Sequence, residues 1–238
     1  MEICIDSVDS ARNAITGGAF RLECCAALSE GGLTPTPGMI KQIRKSSDVP
    51  MYAMIRSRTG NFVYSQEEMD VMLYDLKLLK ELGVNGFVFG ALTEDGEIAT
   101  EPCREIISAA SPLPVTFHRA FDETMNPLKS LNTVIDLGFE RILTSGQKSS
   151  ALEGLELIKQ LIHQARGKII IMPGAGITKD NILHIKTESS AKEFHTSARK
   201  REVTRDNSGK FKIGPDALIT DESLVMEMTR IVKTCRKM

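Results

Sequence analysis

The chain has 238 residues, 42% of them hydrophobic and 26% charged, with 30 basic against 31 acidic side chains and a formal net charge of -1. That length suits one β/α barrel and can bury a large core. The balanced charge gives no electrostatic footprint for nucleic acid or an anionic membrane surface, and no apolar run nears the ~20 residues of a membrane span.

Five cysteines are present, Cys4, Cys24, Cys25, Cys103 and Cys235; the number is odd and no CxxC occurs. This argues against a disulfide scaffold and for a reducing, cytoplasmic setting. The chain enters a strand almost at once, which leaves no signal peptide in the expectation.

The first strand is predicted near Glu2–Asp6, and its helix, near Ser7–Thr16, stops at Gly17-Gly18. The second strand, Phe20–Cys24, runs into the Gly/Pro-rich loop from Ser29 to Gly38, and a helix from Pro37 to Lys45 follows. The third strand, Met51–Ile55, ends at Arg56, with Arg58 two residues on. Ser65-Gln-Glu-Glu68 reads as a capping box. Behind it Met69, Met72, Leu73, Leu76, Leu79 and Leu82 repeat at spacings of three and four, so these methionines are expected in the core rather than on a metal.

The fourth strand is Gly86–Gly90, with a turn over residues 93–97. The fifth, Val115–Phe117, leads straight into His118 and Arg119, with Asp122 close behind, and a helix begins at Asn126-Pro127. The sixth is Arg141–Thr144. The seventh, Lys168–Met172, runs into Pro173-Gly-Ala-Gly-Ile177. The eighth is short, Glu193–His195, and continues into Thr196-Ser197. Residues from about Arg199 to Asp221 show no period, and a last helix is predicted from Glu222 to Lys233. Strands alternating with helical patterns imply a parallel sheet closed by right-handed crossovers. The expected architecture is therefore a single (β/α)8 TIM-barrel-like domain over residues 1–238.

Strand residues alternate between the inside and the outside of a barrel. Counted back from the strand tips, Glu23, Arg56, His118 and His195 can all face the pore near one end, where barrels carry their chemistry. Charges on strands that should be wholly apolar mean a polar pocket or a satisfied ion-pair network. If the site is catalytic, His118 is the candidate general acid/base, because imidazole titrates near neutral pH. Arg56 would then bind an anionic or carbonyl oxygen, and Glu23 would share or orient a proton. Arg58 and Arg119 are further candidates for an anion, Arg119 with the alternative of a rim ion pair to Asp122. Gly174 and Gly176, with Ser197 after strand eight, lie where barrels often seat phosphate. Cys4 and Cys24 are on adjacent strands and are the candidate soft-metal thiols. Parity argues the other way: if Glu23 faces inward, Cys24 faces the helices, while Cys4 faces the pore.

Several stretches taken together resemble the CutC copper-homeostasis family. They are Glu2-Ile-Cys4, Leu22-Glu-Cys24, Glu30-Gly-Gly-Leu-Thr-Pro35, Ile55-Arg56 with Arg58, Thr116-Phe-His-Arg-Ala-Phe-Asp122, Leu143-Thr-Ser-Gly146, and Phe194-His195 with Ser197-Ala198. The resemblance implies a cytosolic β/α barrel, a homo-oligomer (dimer or tetramer), and copper handling through cysteine thiols, with Cys4 and Cys24 at the matching positions. Two readings stand at this level: Cu(I) binding in copper homeostasis, or an enzyme acting on a small anionic, perhaps phosphorylated, metabolite at the strand tips.

Overall fold

A computed structural model describes residues 1–201 and 218–234. Eight parallel strands form one sheet: β1 (Glu2–Ile5), β2 (Arg21–Cys24), β3 (Met51–Met54), β4 (Gly86–Phe89), β5 (Val115–Phe117), β6 (Arg141–Thr144), β7 (Ile170–Pro173) and β8 (His195–Thr196). Neighbours follow chain order from β1 to β7, and β8 pairs with β1, with Glu2 opposite His195. Gly174, just past β7, lies against His195, where an added Cβ would sit 3.4 Å from the histidine's own Cβ. The sheet is thus curled into a nearly closed TIM-like barrel, as the alternating pattern predicts.

The helices are α1 (Val8–Thr16), α2 (Pro37–Arg44), α3 (Gln66–Glu81), α4 (Thr100–Ala110), α5 (Pro127–Leu137), α6 (Leu155–Ala165), α7 (Ile182–Ser189) and α8 (Glu222–Thr234). Ser7, Thr36, Ser65 and Asn126 each cap a helix by accepting a backbone N–H, and Ser65 with Glu68 completes the capping box. Met69, Met72, Leu76 and Leu79 of α3 are buried in the core between sheet and helices, so the methionine spacing is a packing face. α4 is an element that residues 93–97, read as a turn, do not announce; its buried face is Cys103, Ile106 and Ala110. The unpatterned stretch after β8 begins and ends as two antiparallel strands, β9 (Arg199–Arg201) and β10 (Leu218–Thr220). The rest of that stretch, and Cys235, lie outside the described residues. Among the described residues no helix is long and apolar enough to cross a membrane.

The polar strand residues separate into two layers. At the N-terminal end Arg21 pairs with Glu2 and with Glu193 (2.6 Å), and Arg141 with Glu193 (3.2 Å) and Glu140 (2.6 Å). The Tyr52 hydroxyl donates to Glu140 (3.1 Å), and both guanidinium groups lie over the Tyr52 ring. This satisfied network floors the barrel, and the chemistry of interest sits above it.

Candidate metal centre

Above the floor, Cys4, Glu23 and His195 converge. Each offers a donor atom, the three atoms lie within 4.8 Å of one another, and all three residues are buried. β1, β2 and β8 are adjacent, and their register places Cys4 beside Glu23 and His195 level with Glu2, two residues below Cys4 and so on the same face; the meeting follows from strand alternation.

His195 Nδ1 lies 2.8 Å from Glu2 Oε1, while Nε2 is 3.7 Å from Glu23 Oε2. Burial by itself would lower the histidine pKa, but Cys4, Glu23 and Glu2 around it hold it well above the ordinary value. Burial would likewise raise the Glu2 carboxyl, yet Arg21 and His195 bring it down to about 2. Glu23 is raised, chiefly by burial. Its Oε2 accepts from the Cys25 thiol at 3.4 Å, and its Oε1 has no partner among the described residues.

Cys24 and Cys25 point opposite ways. Cys24 is fully buried in the apolar layer between sheet and helices, and burial raises its thiol pKa. It does not join the group at the mouth, which is the outcome strand parity predicts and the paired-thiol expectation does not. Cys25, two residues after Glu23 and on the same face, packs with Met54, Tyr52 and Val88 inside the barrel. An added Cβ on Gly32 would sit 3.0 Å from Cys25 Sγ and 3.4 Å from Met54 Cε, so the loop after β2 presses both sulfur-bearing side chains into the pore. Cys25 lies one residue past the predicted end of the second strand, and only its spacing of two from Glu23 marks it in the sequence as inward-facing.

The remaining candidates divide. A cavity of about 980 Å³ at the C-terminal mouth is lined by Cys4, Glu23, Arg56, His118, Arg119, Gly176, His195 and Ser197, among others. Arg56 donates through Nη1 to the carbonyls of Glu30 (2.8 Å) and Gly32 (3.2 Å), and through Nη2 to that of Gly60 (3.0 Å). His118 accepts at Nδ1 from the Ala120 N–H (3.1 Å). Burial, and then the neighbouring Arg56 cation, lower its pKa to about 3. It is thus a neutral imidazole at physiological pH and not the neutral-pH acid/base its residue type suggests. Arg119 pairs with Asp122 (2.9 Å) at the rim, and Asp122 in turn accepts from the backbone N–H groups of Ser145 and Gln147.

Two of the anion candidates sit elsewhere. Arg58 is bound to Glu68 and to the carbonyls of Thr59, Asn61 and Val63, facing a separate hollow. Gly174 is not part of the cavity lining: its N–H donates to Thr144 and a Cβ there would meet Leu143 at 2.5 Å, so its smallness serves strand packing.

Comparison with known proteins follows the same line. The profile of the CutC family matches residues 1–200. The copper homeostasis protein cutC homolog of Homo sapiens is 54% identical over 212 residues, covering 89% of this chain and 77% of the human protein. The homolog of the same name in Mus musculus is 49% identical over 236 residues, 98% of this chain and 86% of its own length. A solved CutC structure from Streptococcus agalactiae superposes with a TM-score of 0.79 at 33% identity, covering 82% of this chain and 97% of that one. Thiamine phosphate pyrophosphorylase from Pyrococcus furiosus, at 14% identity and a TM-score of 0.62, shares the fold alone.

Proposed function

The chain belongs to the CutC family, and we propose that its part in copper homeostasis is to bind Cu(I) inside the barrel mouth, at Cys4 and His195 beside Glu23. The observation that carries this reading is the convergence of those three buried donors within 4.8 Å. Thiolate and imidazole are ligands for a soft or borderline ion. The sulfurs of Cys25 and Met54, next to the group, bias it toward the softest choice. The orphaned Glu23 Oε1 fits a cation nearby, since an unmet buried carboxylate oxygen is otherwise costly. Binding would displace the proton from His195 Nε2, while Glu2 keeps the proton on Nδ1, the orientation a metal-bound histidine uses.

The setting we propose is cytosolic. Cys4, Cys24, Cys25 and Cys103 are buried and free, as thiols are in a reducing compartment. Assembly as a homo-oligomer is carried over from the family resemblance.

The test is an anaerobic Cu(I) competition titration on the wild type, Cys4→Ser and His195→Ala. One ion per chain is expected, with affinity falling at least a hundredfold in either variant. Stoichiometric binding indifferent to both changes would remove the proposal.

A further inference from the structure

The same mouth holds a second polar centre that shares no residue with the proposed copper ligands. His118 is 3% exposed, lines the cavity, and its Nε2 has no hydrogen-bond partner among the described residues. Because the Ala120 N–H donates to Nδ1, the ring proton belongs on Nε2, where it is an unused donor. The ring is held from several sides. Phe62 lies 4.9 Å away centroid to centroid, and Phe89 and Phe117 stand behind. Gly90 leaves space where a Cβ would come 2.7 Å from Nδ1. A side chain fixed this closely at the wall of a cavity, with its one free donor buried, is arranged to meet an acceptor that the described residues do not supply.

Arg56 fixes the charge of that acceptor. It is 6% exposed, its guanidinium donates to three backbone carbonyls, the Tyr64 hydroxyl is a neutral neighbour, and its buried Nε has no geometrically formed hydrogen bond among the described residues. Carbonyl dipoles solvate the guanidinium but do not neutralise it. The same Phe62 ring that touches His118 lies 5.0 Å from the Arg56 guanidinium carbon, so cation and donor flank one aromatic side chain. No described carboxylate pairs with Arg56, so a neutral carbonyl would satisfy His118 and leave the cation without a counter-charge among the described residues; an oxyanion answers both.

We propose that His118 Nε2–H and the Arg56 guanidinium form the seat of an oxyanion, the carboxylate or phosphate end of a small metabolite, in the cavity beside the copper site. The cavity, about 980 Å³, is large enough for such a molecule alongside a bound ion. The chemistry is recognition only: no bond is made or broken.

The test uses the metal-free full chain labelled with ¹⁵N-histidine. Inorganic phosphate and acetate are titrated in separately, with chloride at matched ionic strength as the control, and the His118 Nε2–H signal is followed. A saturable shift with phosphate or with acetate is expected, and which of the two binds tighter names the ligand's end group. Calorimetry should show that anion's affinity falling at least tenfold in His118→Phe and in Arg56→Lys. A shift that chloride reproduces, or no shift with either anion, would mean that no oxyanion is seated at Nε2 and would overturn the proposal. The wild-type titration decides this even if a variant folds poorly.

Discussion

Nδ1 of His195 sits 2.8 Å from Oε1 of Glu2, which turns the ring's other nitrogen toward Cys4 and Glu23. Glu2 is itself fastened to Arg21 in the barrel floor. The structural network below thus orients the functional group above. Glu2→Gln keeps an acceptor for Nδ1 but removes the charge. We expect Cu(I) affinity to drop roughly 10–100-fold, as for outer-shell partners of metal-bound histidines, and less than in Cys4→Ser. Competition titration of both variants checks the order.

The two neighbouring cysteines give a clean contrast. Cys25 donates to Glu23 inside the pore, whereas Cys24 is packed among apolar side chains on the other face. Cys25→Ser is expected to weaken Cu(I) binding with little loss of stability. Cys24→Ser should leave the affinity unchanged and cost about 1–3 kcal/mol, the usual penalty for a hydroxyl placed in an apolar site. The check pairs a Cu(I) titration with urea unfolding. The reverse pattern would return the metal to the outward-facing thiol.

The strands were legible because each is a short apolar run with a polar end, and parity alone put Glu23 and Cys4 inward and Cys24 outward. What parity cannot supply is how a long side chain spends its donors. Arg56 and Arg58 are two residues apart and read alike in sequence. In the fold Arg56 turns into the mouth and clamps two loops, while Arg58 folds back onto Glu68. His118 poses the same difficulty: its residue type suggests titration near neutrality, and only the packing of Phe62, Phe89 and Phe117 around it shows that the charged form is excluded. Cys25 is legible by the same parity, two residues on from Glu23, once the inward face is followed past the strand end.

Gly90 has an ordinary backbone conformation, so an alanine there meets only a steric obstacle. Its Cβ would lie 2.7 Å from His118 Nδ1 and 2.8 Å from Cε1, with Phe117 Cζ at 3.1 Å behind. The histidine cannot retreat without breaking its bond from the Ala120 N–H. Gly90→Ala should therefore destabilise the chain by about 1–3 kcal/mol, the range for overpacking a tight core. Urea unfolding at pH 7 measures it, and a neutral result would mean that the ring is not fixed as described.

His118 also makes stability depend on pH in a definite direction. Its pKa in the folded chain is about 3, against about 6.5 when unfolded. Between those values the unfolded chain binds the proton and the folded chain does not, so stability rises with pH. The contribution is fully present above pH 6.5 and is lost as the pH falls toward 3. Over the interval from pH 7 to pH 5 this amounts to roughly 2 kcal/mol. His195 acts in the opposite sense, because its pKa is raised and its contribution is lost as the pH rises. The wild type alone would therefore mix two trends. The difference between the wild type and His118→Phe isolates the first, since His195 is common to both. Urea unfolding of the two proteins at pH 7 and pH 5 should show the wild type losing about 2 kcal/mol more than the variant. Equal losses would mean that His118 accepts a proton in the folded state and that its Nε2 is open to water.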